Sequence, residues 1–330
     1  MDATSGRGAP PKLPSNLTAD EIVRLAMSDR AVYDAMAKRE SEVWGRVLPA
    51  REQNPAVAFD QQAARDLRLN RGQLTLMTWA RGSGRTFKRC LSLGCGEGRF
   101  ERQLIAGKIC QTAHGVDVAA SAVEEARAKA AAEKYDITYE LADINFFTAE
   151  PAGFDLVVAQ TSLHHILYLE HVLEQVWRAL KPGGIFWVHD YIGESQFQYA
   201  DDRIEIVNAI IERLPEKFRR NRINGQLMKP VARKAPGTLV SPFESIRSAD
   251  IPKLLPRWFD IVEKREITTL LHLAVPVGTR SAYVENEDTR ALFEILYLLD
   301  DICLKYGILA PVGGLYVLTP KAEPLPAPER

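Results

Sequence analysis

Three glycines at alternate positions, directly after a short apolar run, constrain this chain more than any other feature. Residues 90–93 predict a strand, Gly94, Gly96 and Gly98 predict a tight turn, and a helix-like pattern follows. Because glycine has no Cβ and tolerates positive φ, such a turn lets a ligand lie against the backbone at a helix N-terminus. The pattern therefore predicts a cofactor site between a strand and a helix.

The spacing of these glycines disfavours two common nucleotide motifs. A dinucleotide fingerprint would place its third glycine at position 99, where this chain has Arg99. A phosphate-binding loop would need a lysine after the glycines, and none follows here. A ligand without a phosphate is favoured.

Further strand-like segments follow in an order typical of a doubly wound sheet. Residues 113–118 resemble a second strand that ends at Asp117 and Val118, and residues 141–144 end a third strand with Asp143 and Ile144. Residues 154–160 resemble a fourth strand, and residues 180–188 resemble a helix end, a turn and a fifth strand. Residues 259–267 alternate like a sixth strand. With the glycine turn, this series resembles the class I S-adenosylmethionine-dependent methyltransferases.

The resemblance implies a fold, a cofactor and a set of binding residues. It implies an α/β protein with a doubly wound, seven-stranded, mostly parallel sheet, N-terminal helices and helical insertions after strands 5 and 6. It implies that Asp117 binds the ribose hydroxyls and Asp143 the adenine amine of S-adenosyl-L-methionine. The full set implied to bind this cofactor is Ser92, Gly94, Cys95, Gly96, Gly98, Asp117, Val118, Asp143, Ile144 and Gln160. Ser92 departs from the family, in which many members carry an acid at this position.

Composition changes and periodicity divide the chain into six parts. We expect a disordered leader (1–16), an N-terminal helical cap (17–88), a cofactor-binding core (89–192), a helical insertion or lid (193–256), closing strands with a helical insert (257–320) and a flexible tail (321–330). Thr18 and Glu21 predict a capping box at the start of a helix that reaches about residue 48. Trp44 in this helix is a candidate lid residue, although packing in the core is favoured.

Histidines near the predicted strand ends are the candidate catalytic residues. If the resemblance holds, a nucleophile attacks the sulfonium methyl group, and a hydroxyl nucleophile needs a base to take its proton. We favour His165 as this base and keep His189 as the alternative. Asp190 is a candidate to orient the imidazole of the adjacent His189 or to bind a substrate amine. His164, His165 and His171 lack a nearby acidic cluster in the sequence, so no metal is predicted.

Charge and cysteine content limit the partners. A net charge of -1 gives no reason to expect nucleic acid or an anionic membrane as the partner. The cationic stretch between positions 217 and 234 is interpreted as a solvated surface rather than a site for an acidic substrate. Four cysteines without C-x-x-C spacing favour a reducing cytoplasm. No run approaches the length of a membrane span.

The sequence therefore predicts a cytoplasmic methyltransferase that acts on a small molecule, with a hydroxyl oxygen favoured as the acceptor. The absence of an Asn/Asp-Pro-Pro-Tyr signature after the fourth strand argues against nucleic-acid bases and protein amides as acceptors. Two other functions remain open: aminopropyl transfer from a related donor, and a non-catalytic binding module that keeps the cofactor fold. The oligomeric state is not predicted.

Overall fold

The computed structural model describes residues 17–67, 69, 74–236, 238–239 and 241–326, and only the backbone of residues 48–53. The predicted leader lies outside the described residues, as do the last four residues of the predicted tail. Among the described residues, no helix is both long enough and apolar enough to cross a membrane.

The centre of the protein is a seven-stranded sheet in the order β3-β2-β1-β4-β5-β7-β6. Its strands are β1 (Phe87–Leu93), β2 (Cys110–Asp117), β3 (Ile137–Leu141), β4 (Phe154–Gln160), β5 (Leu180–Tyr191), β6 (Phe259–Ile267) and β7 (Gly313–Pro320). Strand β7 runs antiparallel to both of its neighbours, while the pairings among β1 to β5 are parallel. This confirms the predicted doubly wound, mostly parallel sheet, and the bounds of β4 and β6 are those predicted.

Helices cover both faces of the sheet and extend beyond its carboxyl edge. They are α1 (Ala19–Ser28), α2 (Arg30–Gln53), α3 (Pro55–Asp66), α4 (Leu76–Gly82), α5 (Arg99–Ala106), α6 (Ala120–Glu133), α7 (Leu169–Ala179), α8 (Asp201–Arg213), α9 (Glu216–Arg219), α10 (Ile251–Trp258), α11 (Leu271–Ala274) and α12 (Glu287–Lys305). The central strands are apolar on both sides because they are covered on both faces.

The N-terminal helix that we predicted as one element is two. The capping box of Thr18 and Glu21 is present at the start of α1. However, α1 ends at Ser28, because Asp29 takes an extended conformation and its carboxylate accepts the backbone N–H groups of Ala31 and Val32 at the start of α2. An aspartate that satisfies two otherwise free N–H groups is a strong helix start, so the chain begins a new helix there.

Helix α2 lies across the carboxyl end of the sheet, next to the glycine turn. The Oγ of Ser41 donates to the carbonyl of Val118, 2.8 Å away, and Ser121 donates to the carbonyl of Gly45 at 2.9 Å. On its other side, buried Tyr33 and Met36 belong to the same apolar cluster as Phe243 and Ile246. Helix α2 therefore joins the core to the segment that follows β5.

The two insertions pack against each other beside the sheet. A single apolar cluster joins Val207 and Phe218 of the first insertion to Leu270 and Phe293 of the second. In the cationic stretch between positions 217 and 234, several side chains form surface ion pairs. These are Arg220 with Glu216, Lys217 and Arg222 with Glu285, and Arg233 with Asp201. This stretch fits a solvated surface.

Candidate active site

A cavity of about 370 Å³ lies at the carboxyl ends of β1, β2 and β4, under helix α2. This is the edge of an open α/β sheet at which ligands bind, and the volume lies in the range of small-molecule sites. Its walls include Ala37, Glu40, Trp44, Gly94, Gly96, Asp117, Val118, Asp143, Ile144, Asn145, Gln160, Thr161, Ser162, His164, His165, Ile166 and Phe243. Most of the predicted cofactor residues, and the favoured base His165, therefore meet in one place.

The glycine turn forms the floor of this cavity. Gly94 has a φ of +72°, and a Cβ placed on it would lie 2.5 Å from the Cβ of Ser162. Gly98 has a φ of +73° and begins α5, where an added Cβ would collide with the ring of Tyr139. Gly94 thus leaves room for a ligand and for the loop after β4. Gly98 leaves room for Tyr139, and it does not line the cavity.

Asp117 is fixed at the end of β2 with its carboxylate at the cavity. One oxygen accepts the N–H of Gly96 and the other accepts the N–H of Ala119, each at 2.8 Å. Burial raises the pKa of Asp117, and these backbone hydrogen bonds partly oppose that rise. The carboxylate therefore has a set orientation and retains lone pairs for a ligand's hydroxyl groups.

Asp143 is held by helix α2 and by the turn that it begins. The hydroxyl of Tyr33 donates to its Oδ2 at 2.5 Å, and the backbone N–H of Asn145 donates to its Oδ1 at 3.0 Å. The buried Tyr33 has its pKa raised by burial and by this carboxylate. The neutral hydroxyl of Tyr33 therefore donates a hydrogen bond to the Asp143 carboxylate and fixes it at the cavity wall.

Ser92 does not line the cavity and has a different partner. Its hydroxyl donates to the carboxylate of Glu101 in α5, and both side chains are buried behind the glycine turn. Burial raises the pKa of Glu101 to about 7. The acid that the family often has at this strand position is thus replaced by a serine that binds an acid from the next helix. Cys95 also lies outside the cavity lining, packed against Val123 and Tyr139.

His189 lies behind Gln160 rather than on the cavity wall. The two residues are paired across β4 and β5, and the Nε2 of Gln160 lies 2.6 Å from the Nδ1 of His189. Burial lowers the pKa of His189, which favours the neutral ring that can accept a hydrogen bond from the amide. His189 is therefore placed to orient Gln160, and the structure does not bring it to the cavity.

His165 lines the cavity between helix α2 and the first insertion. Its Nδ1 lies 2.9 Å from Oε1 of Glu40. Trp44 donates its Nε1–H to the same oxygen at 2.7 Å and meets the His165 ring edge to face, with centroids 5.2 Å apart. Glu40 also accepts from the hydroxyl of Ser241 and the backbone N–H of Phe243. Burial opposes its ionisation, but these donors and His165 lower its pKa overall.

His164 is the neighbour of His165 and lies against two further carboxylates. Its Nδ1 lies 2.5 Å from Oδ1 of buried Asp190, and its Nε2 lies 3.5 Å from Oε1 of Glu244. Burial alone would lower the pKa of His164, but the charges of Asp190 and Glu244 raise it to about 10. Asp190 also accepts the backbone N–H groups of Ser162 and Leu163. Asp190 thus orients an imidazole, that of His164 rather than that of its neighbour in the strand.

Sequence reasoning missed the two acids that complete this side of the cavity. Glu40 is in the N-terminal helix and Glu244 is in the first insertion, so no local motif connects either of them to the histidines. The signal that could have found Glu40 is its position one helical turn before Trp44, which was considered as a lid residue. His171 is separate from this cluster, since its Nε2 contacts the carbonyl of Phe147 at 2.9 Å.

A second cavity of about 510 Å³ lies at the far edge of the sheet. Its lining includes Thr268 at the end of β6, His272 in α11 and Asp300 in α12. It contains none of the predicted site residues. The first cavity is the one that the carboxyl ends of the parallel strands form.

Known proteins match the part of the chain that builds the floor of the first cavity. Residues 90–184 match the family model described as a methyltransferase domain. The 27-O-demethylrifamycin SV methyltransferase of Amycolatopsis mediterranei is 32% identical over 165 residues, which are 48% of this chain and 57% of that protein.

Two further relatives match shorter stretches. The sterol 24-C-methyltransferase of Clavispora lusitaniae is 33% identical over 111 residues, covering 33% of this chain and 29% of that protein. The mitochondrial arginine-hydroxylase NDUFAF5 of Mus musculus is 36% identical over 117 residues, which are 34% of this chain and 32% of that protein. The matches thus span less than two thirds of any of these three relatives. The matched segment contains the glycine turn and strands β2 to β4, and residues 90–184 are thus a methyltransferase domain of the class I, S-adenosylmethionine-dependent family.

Proposed function

We propose that this protein transfers the methyl group of S-adenosylmethionine to a hydroxyl oxygen of a small molecule. One observation carries the proposal. A single cavity is lined by the glycine turn, by Asp117 and by His165, which Glu40 contacts. A donor site and a proton acceptor therefore face the same space.

The donor side of the proposal rests on two carboxylates and the glycine turn. Asp117 accepts the ribose hydroxyls, and Asp143 accepts from the exocyclic amine of adenine, since each keeps lone pairs beyond its contacts within the protein. The methionyl part lies over Gly94 and Gly96, where no Cβ blocks it. This arrangement directs the methyl group toward the wall formed by residues 160–166.

The acceptor side supplies alignment and a base. As the acceptor oxygen forms its bond to the methyl carbon, the carbon–sulfur bond breaks, and its electron pair stays on sulfur as a neutral thioether. The hydroxyl proton passes to Nε2 of His165, while Glu40 next to Nδ1 stabilises the imidazolium. Alignment of the two reactants in a closed pocket contributes on the order of 7 to 11 kcal/mol in favourable cases.

A small molecule is the favoured acceptor for two reasons. Of the three relatives above, one is named a 27-O-demethylrifamycin SV methyltransferase and another a sterol 24-C-methyltransferase, and both names refer to small molecules. In addition, ion pairs partly neutralise the cationic stretch, which weakens the case for nucleic acid as the partner. The four cysteines are free and buried, in keeping with the proposed location in the cytoplasm.

The test is a methyl-transfer assay with S-adenosylmethionine that carries an isotopically labelled methyl group. The purified protein is incubated with a metabolite extract, and mass spectrometry identifies the labelled product. We expect label on a hydroxyl oxygen of a small molecule, and we expect Asp117→Ala to weaken donor binding by at least tenfold in calorimetry. Glu140→Gln, an exposed acid on the edge strand β3, is the control.

The outcomes separate the proposal from its alternatives. Label on RNA or protein would overturn the acceptor class, and unchanged binding by Asp117→Ala would overturn the ribose contact. Transfer of an aminopropyl group from decarboxylated donor would place the protein in a different enzyme class. Donor binding without any turnover, both in the native protein and in His165→Ala, would favour a binding module.

A further inference from the structure

Two imidazole nitrogens and one carboxylate converge on a single point at the edge of the cavity. The Nε2 of His164 lies 3.5 Å from one oxygen of Glu244, and the Nε2 of His165 lies 3.9 Å from the other. One ligand atom from each of the three residues can be chosen so that all lie within 4.8 Å of one another. Both Nε2–O distances exceed the usual length of an N–H···O hydrogen bond, which is about 2.7 to 3.2 Å.

The opposite nitrogen of each ring faces a buried carboxylate. Asp190 lies 2.5 Å from Nδ1 of His164, and Glu40 lies 2.9 Å from Nδ1 of His165. With Nδ1 next to a carboxylate, Nε2 is the atom of each ring that can bind a cation, and in both rings it lies beside Glu244. Histidine ligands of metals have this arrangement, in which an outer carboxylate fixes the tautomer and the orientation of the ring.

The cluster contains more carboxylates than imidazoles, which also suits a cation site. Three carboxylates, those of Glu40, Asp190 and Glu244, surround two imidazoles, and the first two side chains are only 4% and 0% exposed. Burial of an ionised carboxylate costs free energy unless a positive charge compensates it. A divalent cation between the two rings supplies that charge without requiring both rings to be protonated.

We propose that His164, His165 and Glu244 bind a divalent transition-metal cation through the two Nε2 atoms and the carboxylate. Ligand atoms about 2.1 Å from a shared ion are roughly 3.0 to 3.4 Å apart, so small side-chain movements bring this set to coordination distance. Two imidazoles with one carboxylate suit zinc or iron(II), whereas magnesium prefers oxygen ligands.

The position of the cluster gives the cation a role in the reaction, and this part rests on the proposed function. His164 and His165 both line the cavity, so a coordination position of the cation can face the acceptor. With the cation bound, Nε2 of His165 is a ligand, and the cation replaces the imidazole as the group that activates the hydroxyl. It lowers the pKa of the bound hydroxyl, whose proton passes to water in the open cavity.

The test measures metal binding directly on the full chain. The protein is stripped with a chelator and titrated with Zn²⁺ by calorimetry, and with Co²⁺ by visible absorption, which reports the coordination geometry. We expect one equivalent of metal per chain. We expect Glu244→Gln to weaken binding at least tenfold and to change the cobalt spectrum. Glu244 is partly exposed, so this variant spares the core.

Two controls and an independent assay make the result specific. Glu205→Gln removes an exposed acid from α8, and His114→Gln removes a histidine from β2; both should bind metal as the native protein does. Binding that is substoichiometric, or equal in Glu244→Gln and Glu205→Gln, overturns the inference. Methyl transfer that persists in the stripped protein overturns only the catalytic role of the cation. One bound equivalent without any methyl transfer leaves the metal site intact and overturns the proposed function.

Discussion

Glu40 and His165 are in contact at the cavity, with Oε1 of the carboxylate 2.9 Å from Nδ1 of the imidazole. Glu40 comes from helix α2, and the same carboxylate binds Ser241 and Phe243 of the first insertion. One buried acid therefore joins an N-terminal helix, a strand-end histidine and an inserted segment. The geometry of the reacting side depends on this contact.

Glu40→Gln should lower the turnover number about 10- to 100-fold, the range found when an outer carboxylate of a histidine is lost. The amide keeps the shape of the side chain, but it no longer fixes the charge next to His165. Affinity for S-adenosylhomocysteine should not change, because Glu40 is not among the residues proposed to bind the donor. Kinetics and calorimetry measure the two quantities. Glu42→Gln, an exposed acid in the same helix, is the control, and equal turnover in the two variants would refute the prediction.

Gly94→Ala should abolish donor binding and destabilise the fold. The left-handed conformation at Gly94 costs an alanine about 1 to 2 kcal/mol, and its Cβ would in addition collide with Ser162. Gly84→Ala is a matched control, because Gly84 also has a positive φ, +66°, but an added Cβ there has open space. Both variants are measured by denaturant unfolding and by donor calorimetry. Gly84→Ala reports the conformational cost alone, and the additional loss in Gly94→Ala reports the collision with Ser162. Normal donor binding by Gly94→Ala would contradict the proposed position of the methionyl group.

Glu101→Gln should become more stable relative to the native protein as the pH rises. Burial raises the pKa of Glu101 from its ordinary 4.5 to about 7, so the folded state holds a proton that the unfolded state releases. The stabilising contribution of this group is complete below its unfolded pKa and is lost as pH rises through its folded pKa. Thermal unfolding of both proteins between about pH 5 and pH 8 measures the difference. Curves that stay parallel would show that Glu101 is ionised throughout.

His189→Ala should raise the KM for the donor severalfold and leave the turnover number nearly unchanged. His189 contacts Gln160 on the cavity wall and is placed to hold its amide rather than to reach a substrate. Steady-state kinetics with varied donor distinguishes this role from that of a base, whose loss would lower turnover about 10²- to 10⁴-fold. Gln160→Ala should have the same effect, and the double variant should be no worse than either single variant.

The sheet could be predicted because each strand carries its own signal. Strands β4 and β6 were predicted with the bounds that the structure has, since an apolar run and an alternating run each end at clear turn residues. The break between α1 and α2 was not predicted. The helical periodicity continues through it, and the interruption depends on the conformation and capping of a single residue, Asp29.

The strand-end residues around the cavity could be predicted to lie together, and so could His165, whereas the two acids beside the histidines could not. Gly94, Asp117 and Asp143 lie at strand ends whose order in the sheet follows from the order of the motifs. Glu40 and Glu244 reach the histidines through the packing of α2 against the segment that contains Phe243, which has no local pattern in the sequence. For the same reason, no sequence pattern indicated the carboxylates around His164 and His165.

The double attachment of Glu40 bears on how acceptor preference can be redesigned. The segment that matches the methyltransferase family model begins after Glu40 and ends before Ser241, so both partners of this contact lie outside it. Grafting a foreign lid onto this scaffold by itself would leave the Glu40 carboxylate without its serine hydroxyl and backbone amide donors. A successful chimera should therefore exchange helix α2 together with the first insertion, so that Glu40 keeps both of its donors.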